Sequence, residues 1–289
     1  MLLATLVAAR ALSRGDLATA SDALRQAGGT PGTVIWLDTG DAADLPVTGL
    51  SQAAARAALE AALPCVDSIV QPASGTRRKR LLIADMDSTM IICECIDELA
   101  DYAGIKPQVA AITAAAMRGE LDFAAALDAR VALLAGMDTA VIDQCRDERV
   151  RLMPGAVTLV ATMTAGGART ILVSGGFTAF ADPVGAELGF DRVVANTLLT
   201  EGGKLTGKVT RPVVDAAAKA AELDLAGIPL DACLAVGDGA NDIPMLLRAG
   251  LGIAYHAKPA AAAAANGAVR VGDLTTLLWA QGIRRGEWV

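Results

Sequence analysis

The 289-residue chain has room for one large domain plus a small appendage, and no apolar run approaches the roughly 18 to 20 residues of a membrane helix. A net charge of −7 and an aromatic content of only 3% argue against a nucleic-acid surface, so "RRKR" at residues 77–80 reads as a solvated linker or strand entry. The opening "MLLATLVAARAL" lacks early basic residues and is interrupted by Arg10, which leads us to expect a soluble, cytoplasmic protein without a membrane partner.

Residues 1–71 alternate between strand and helix patterns. "LLATLVAA" reads as a strand, "DLATASDALRQAG" a helix, "GTVIWLD" a strand, with a weak strand near Val47, then helix "SQAAARAALEAAL" and strand "CVDSIVQP". That order predicts a small α+β unit of ferredoxin-like or ACT type over residues 1–75. "PASGTRRKR" follows as a linker.

From Leu81 onward the pattern is α/β, with a mostly parallel sheet expected over residues 76–289. Strand "LLIA" leads into "DMDST", and residues 93–150 are helical in pattern, an insertion expected above the sheet's carboxyl edge. Helix "GAVTLVATMTAGG", strand "RTILVSGGF" ending in a glycine turn, and helix "TAFADPVGAELG" come next. Residues 192–210 read as one hairpin turning at Glu201, Gly202 and Gly203, and "PVVDAAAKAAELDLAG" as a helix. "CLAVGDGANDIPMLLRAG" reads as strand, turn and helix; "LGIAYHAKP" and "GAVRVG" are short strands flanking an alanine-rich helix.

The cysteines, Cys65, Cys93, Cys95, Cys145 and Cys233, are odd in number and scattered, which disfavours a disulfide framework. His256 is the only histidine, which disfavours both a zinc site at Cys93 and Cys95 and a serine–histidine hydrolase. Chemistry must then run on carboxylates, lysine and metal. Three apolar strands end in polar residues: "LLIA-DMDST", "TILV-SGGF" and "CLAV-GDGAND". If adjacent and parallel, they bring Asp85, Asp87, Ser174, Gly175, Asp238 and Asp242 to one edge. Acids at the end of buried strands add no stability, so the pattern points to phosphoryl transfer. Asp85, Asp87 and Asp238 suit a hard dication, magnesium best, and the glycines let N–H groups approach a phosphate. Lys219 could bring a positive charge to the same edge.

DMDST, SGG, a helical lysine and GDGAND, in that order, resemble the four motifs of the haloacid dehalogenase superfamily. "DMDSTMIICECIDELA", "MRGELDF", "ARVALLAG", "LVSGGF" and "VGDGANDIPML" are similar to stretches of its phosphoserine phosphatases. The resemblance implies a Rossmann-like domain with a helical cap at about 93–150. It implies Asp85 as nucleophile and Asp87 as general acid and base. Magnesium would be held by Asp85, the Asp87 carbonyl and Asp238, with Asp242 fixing its waters. Ser174, Gly175 and Lys219 would bind phosphate, supported by Asn241. Glu94 would hold the ammonium and Arg130 the carboxylate of O-phosphoserine, with Met117 and Phe123 on the apolar side. Another small phosphomonoester, such as phosphohomoserine, and a regulatory binding protein without turnover stay open. So does the choice between monomer and homodimer.

Overall fold

The structure, a computed structural model, describes residues 1–117 and 120–289, the side chain of Met117 excepted. Two sheets organise it. The first unit runs β1 (Leu2–Ala8), α1 (Arg14–Gln26), β2 (Thr30–Pro31), β3 (Ile35–Asp38), β4 (Ala42–Thr48), α2 (Gln52–Ala62) and β5 (Val66–Pro72). Its strands pair antiparallel in the order β2-β4-β1-β5, with β3 also on β4, which is the ferredoxin-like arrangement. Ser13 and Asp16 form a reciprocal cap on α1, whose Leu17, Ala20 and Leu24 face the sheet. The weak strand near Val47 is in fact a full strand beside β1. Asp44 and Pro46 hid it, and burial of Asp44 is possible because the Thr5 hydroxyl donates to it at 2.8 Å and Arg77 pairs with it at 2.8 Å.

The second unit begins with β6 (Leu81–Ala84) and four helices, α3 (Cys95–Tyr102), α4 (Lys106–Met117), α5 (Phe123–Ala132) and α6 (Ala140–Arg149). It continues with α7 (Ala156–Ala165), β7 (Arg169–Phe177), α8 (Thr178–Leu188), β8 (Arg192–Asn196), β9 (Leu198–Glu201), β10 (Lys204–Val209) and α9 (Ala216–Leu225). β11 (Cys233–Gly237), α10 (Ile243–Arg248), β12 (Leu251–Tyr255), α11 (Pro259–Ala264), β13 (Gly267–Val269) and α12 (Thr276–Ala280) complete it. The sheet order is β13-β12-β11-β6-β7-β8, all parallel, so β6 lies between the other two motif-bearing strands. β6 is buried on both faces: Leu82 and Ala84 join one core, Leu81 and Ile83 the other.

Several expectations are corrected. Residues 192–210 are not a single hairpin. β8 joins the parallel sheet beside β7, and only β9 and β10 form the hairpin, turning at Gly202 and Gly203 with φ of 56° and 77°. The Ser-Gly-Gly segment is not a turn either, because β7 stays extended through Phe177 with a shift in register. α9 starts only at Ala216, capped by the Asp215 carboxylate, and α12 was not anticipated. In "RRKR", Arg78 and Arg80 are exposed at the entry to β6 as expected, but the other two residues are tied down. Lys79 is buried, its ammonium donating to the carbonyls of Thr76 and Asp231 at 2.6 and 2.7 Å, while Arg77 bridges to Asp44 of the first sheet.

The four helices enter and leave the sheet through a narrow neck. Ile91 and Leu152 form a bridge, flanked by Ile92 N–H to the Arg151 carbonyl at 3.0 Å and Met153 N–H to the Met90 carbonyl at 2.9 Å. The β9–β10 hairpin grips the helices from the side. Gly136 and Thr139 donate to the carbonyls of Leu205 and Gly203, and Arg211 pairs with Asp128.

The two units meet through Asp67 of β5, which is fully buried and accepts N–H groups of Arg270, Val271 and Gly272 at 2.7, 3.2 and 2.8 Å. Arg56 donates to the carbonyls of Ala265 and Ala262 at the end of α11 at 2.6 and 2.8 Å. An Asp67→Ala variant would strand the three N–H donors. It should lose about 2 to 4 kcal/mol of unfolding free energy in a urea titration, where surface substitutions cost far less.

Candidate active site

The site grows from the end of β6. The Asp85 N–H makes a rung to the Val236 carbonyl of β11 at 3.0 Å, and its Oδ1 accepts from Met86 N–H at 2.8 Å. The chain then folds back on itself, with Met90 and Ile91 both donating to the Met86 carbonyl at 2.8 and 3.1 Å. Ser88 sits at φ 54°, a strained position for a non-glycine residue, and its hydroxyl donates to Glu94 Oε1 at 2.8 Å. This turn lays Asp87 against Gly176. A Cβ at Gly176 would lie 3.1 Å from Asp87 Oδ2 and 3.0 Å from Ser174 Oγ, so any larger residue would press on both side chains.

At the end of β11, Asp242 Oδ2 accepts from Gly239 N–H at 2.9 Å, and a Cβ at Gly237 would lie 2.5 Å from its Cγ. Asn241 follows the same logic, its amide oxygen lying where it would meet a Gly239 Cβ at 2.3 Å. Lys219, carried by α9, places its ammonium 2.7 Å from Asp85 Oδ1 and 2.7 Å from Asp242 Oδ1. It is 0% exposed, with Asp85 at 5% and Asp238 at 7%. Burial alone would depress the Lys219 ammonium, but the charges of Asp85 and Asp242 outweigh it and raise its pKa. Burial, reinforced by Asp242 and opposed by Lys219, drives Asp85 well above the usual carboxylate range. Burial and then the Glu94 charge lift Asp87 to about 7 and Asp238 to about 6.

Asp85, Asp238 and Asp242 have carboxylate oxygens within 4.8 Å of one another. An all-oxygen donor set crowded in this way, with Lys219 supplying a single buried positive charge, fits a hard divalent cation. The exposed ammonium of Lys258 stands 3.8 Å from Asp238, and the Lys258 N–H bonds the Asp238 carbonyl at 3.1 Å. Sequence reading missed Lys258, since a lysine in a loop carries no periodic signal.

The Ser174 hydroxyl accepts from Gly176 N–H at 2.9 Å, which leaves its own proton free to donate outward. Gly175 faces Phe123 of α5, whose Cζ would come within 3.0 Å of a Cβ there. Asn196 at the end of β8 is the second residue missed. Its Nδ2 donates to the Gly175 carbonyl at 2.9 Å and its Oδ1 accepts from Val214 N–H at 2.8 Å. It thus ties the glycine segment to the chain that leads into α9. Only the fold brings these partners together, so no sequence signal marked it.

On the helical side, Glu94 stands just before α3, held by Ser88. Arg130 is half-buried on α5, its Nε donating to the Ala126 carbonyl at 3.2 Å. Burial draws its pKa down, against the nearby charges of Asp97, Glu94 and Asp87. The Met117 side chain and residues 118–119 of the expected "MRGELDF" stretch lie outside the described residues. The arrangement can set a carboxylate beside a dication, hold an anion on Lys219 and backbone N–H groups, and move a proton at Asp87. Asn196→Ala would leave the Val214 N–H and the Gly175 carbonyl unpaired. It should lower unfolding free energy by about 2 to 3 kcal/mol by denaturant titration, with Asn196→Asp, which keeps the bond from Val214, falling between it and the parent.

The match to the haloacid dehalogenase-like hydrolase family covers residues 82–247, more than half of the chain, and the chain belongs to that family. Its members generally use a divalent metal. Among curated relatives, a phosphoserine phosphatase of Streptomyces coelicolor is 49% identical over 253 residues, covering 85% of this chain and 62% of its own length. Phosphoserine phosphatase SerB2 of Mycobacterium tuberculosis is 49% identical over 215 residues, covering 73% of this chain and 52% of its own length. The chain therefore spans between half and two thirds of these two relatives. A haloacid dehalogenase family hydrolase of Salmonella enterica serovar Typhi superposes with a TM-score of 0.83 at 30% identity, covering 96% of this chain and 98% of that one. A probable phosphoserine phosphatase of Vibrio cholerae, unliganded, superposes at 0.76 with 34% identity over 97% and 88% of the two chains. No helix among the described residues is long and apolar enough to cross a membrane.

Proposed function

We propose that the chain hydrolyses O-phosphoserine to serine and phosphate, the last step of serine biosynthesis, in the cytoplasm. The observation that carries the reading is one buried ammonium, Lys219, bound to both Asp85 and Asp242 at the strand ends, with Asp87 beside it raised to about 7. The Lys219 charge favours the ionised form of Asp85 that attack requires, while Asp87 at about 7 can carry a proton at neutral pH.

Asp85 attacks phosphorus as the seryl oxygen–phosphorus bond breaks, forming an aspartyl-phosphate. Asp87, near half-protonated at neutral pH, gives its proton to the departing seryl oxygen. It then takes a proton from the water that releases phosphate. The Ser174 hydroxyl, the Gly175 N–H and Lys219 hold the phosphate oxygens, and Asn241 supports the loop. Asp85, the Asp87 carbonyl and Asp238 would hold magnesium, with Asp242 behind them. When bound, the ion offsets the carboxylate charge and draws in the phosphate dianion. Glu94 takes the substrate ammonium, and the Arg130 fork its carboxylate. Residues 1–75 form an accessory domain and 76–289 the phosphatase domain with its cap at about 93–150. Each has its own main core, one around Leu6 and Leu45 and the other around Leu82 and Phe177, which supports that division, while Ile69 of the first packs into the second and Val7 against Trp279.

Substituting Asp85→Asn should abolish phosphate release from phosphoserine and prevent trapping of a phosphoenzyme. Steady turnover by that variant would remove Asp85 from the nucleophile's role. Arg130→Ala should cut kcat/KM for phosphoserine by about 30-fold or more, because it leaves a substrate carboxylate unpaired. Activity on p-nitrophenyl phosphate, which carries neither amino-acid charge, should change far less. Equal losses on both would assign Arg130 to the fold or to the phosphate.

A further inference from the structure

Lys258 reaches the acid cluster but has no part in the chemistry proposed above. β12 runs parallel to β11 with Ala254 opposite Gly237, so the chain leaves β12 beside Asp238. At His256 it turns through a φ of 42°, in the left-handed region that a non-glycine residue avoids. The strained turn is clamped twice. His256 N–H donates to the Val269 carbonyl at 2.8 Å, and its ring Nε2–H donates to the Gly272 carbonyl at 2.9 Å. Two residues later the Lys258 N–H donates to the Asp238 carbonyl at 3.1 Å, and Pro259 begins α11 at once. Strain, clamps and proline together hold the Lys258 ammonium 3.8 Å from Asp238 Oδ2.

Two lysines face these carboxylates in opposite ways. Lys219 is fully buried at 2.7 Å from both Asp85 and Asp242, so it cannot leave without stranding its charge. The Lys258 side chain is 61% exposed and its contact is loose, so water can take over its ammonium at little cost. Asp238 is also the least secured of the three acids. Met86 N–H donates to the Asp85 carboxylate and Gly239 N–H to that of Asp242. Among the described residues no hydrogen bond reaches the carboxylate of Asp238, and Lys258 is its one salt-bridge partner. An almost buried carboxylate held by a displaceable ammonium is suited to exchanging one cation for another.

We propose that Lys258 is a competing counter-ion for Asp238: its ammonium and a divalent cation contend for the same carboxylate, and binding of the cation pushes the ammonium out to solvent. Lys258 is thus a positioning residue that sets how tightly the cluster takes its cation. The proposal rests on the reading of Asp85, Asp238 and Asp242 as cation ligands.

Mn2+ makes the competition measurable without turnover, because the free ion gives an electron paramagnetic resonance signal that the bound ion largely loses. At about pH 8, above the value of about 6 for Asp238, Lys258→Gln in the full chain should bind Mn2+ about fivefold more tightly than the parent at low ionic strength. Lys258→Glu should bind more tightly still, and Lys258→Arg, which keeps the charge, should match the parent. Arg25→Gln removes a comparably exposed charge from α1 and should change nothing. Asp238→Asn should weaken binding by about tenfold or more, which places the ion at that carboxylate. Added potassium chloride should narrow the gap between Lys258→Gln and the parent, since the exposed ammonium is screened. Every variant at position 258 keeps the N–H that bonds Asp238, so each should fold as the parent does, which far-ultraviolet dichroism verifies. Unchanged or weaker binding by Lys258→Gln, beside a parent that binds, overturns the proposal and leaves the cation reading standing. Tighter binding by Lys258→Arg as well would also overturn it, because the effect would not follow charge. A parent chain that takes up no Mn2+ removes the cation reading, and this proposal with it.

Discussion

Everything around the acid cluster depends on Lys219. Its ammonium is shut away from water between Asp85 and Asp242, so breaking either contact would leave an uncompensated charge in a dry place. Satisfying it fixes three parts of the chain relative to one another: the end of β6, the turn after β11 and the helix α9. Parallel pairing of Val236 with Ala84 sets the first two side by side. The Asp215 cap, accepting from Ala218 N–H at 2.9 Å, starts α9 at the right place for Lys219 to reach in. One lysine does not balance Asp85, Asp238 and Asp242, and burial first, then neighbouring carboxylates, raises the pKa of both Asp85 and Asp238. The same imbalance that makes the cluster unfavourable in the free chain makes it receptive to a cation and to a phosphate drawn after it.

Around this core the glycines act through space rather than through torsion. Gly176, Gly237 and Gly239 have no left-handed φ, but a side-chain carbon would meet Asp242 at 2.5 Å from Gly237 and Asn241 at 2.3 Å from Gly239, and would press on Asp87 and Ser174 from Gly176. Their small size lets the strand ends crowd together. The helical insertion approaches from the other side, with Phe123 against Gly175 and the neck at Ile91 and Leu152 as its attachment. On the proposed reading the phosphate is handled by the strand ends and by Lys219 of α9, and the rest of the substrate by Glu94 and Arg130 of the insertion. Such a division between elements would let a fold of this kind change substrate without changing chemistry.

The first unit is bonded to the second through buried polar contacts rather than by a loose linker. Asp67 collects three backbone donors, Arg56 closes the end of α11, and Arg77 reaches Asp44, Thr5 and the carbonyls of Trp279 and Ala280. Within a run that reads in isolation as charged and solvated, Arg77 thus joins the first sheet to α12, and Lys79 donates to the carbonyls of Thr76 and Asp231.

Local pattern was enough to determine the strand-end motifs, most helices and the hairpin at Gly202 and Gly203. Each depends on neighbours within a few residues: an apolar run ending in acids, a capping Ser13 or Asp215, a pair of glycines with positive φ. The ferredoxin-like order of the first unit followed from the sequence of its elements. What the tertiary structure alone decided has long sequence separation. Pairing of Val193 with Leu172 makes β8 a sheet strand instead of a hairpin arm, and Asn196 gains its role from Gly175 and Val214. Lys219, expected at the strand-end edge from the order of the motifs, becomes the buried centre through partners distant in sequence, Asp85 and Asp242. A hydrogen bond or charge pair is specified by position in space, and only the folded chain sets that position.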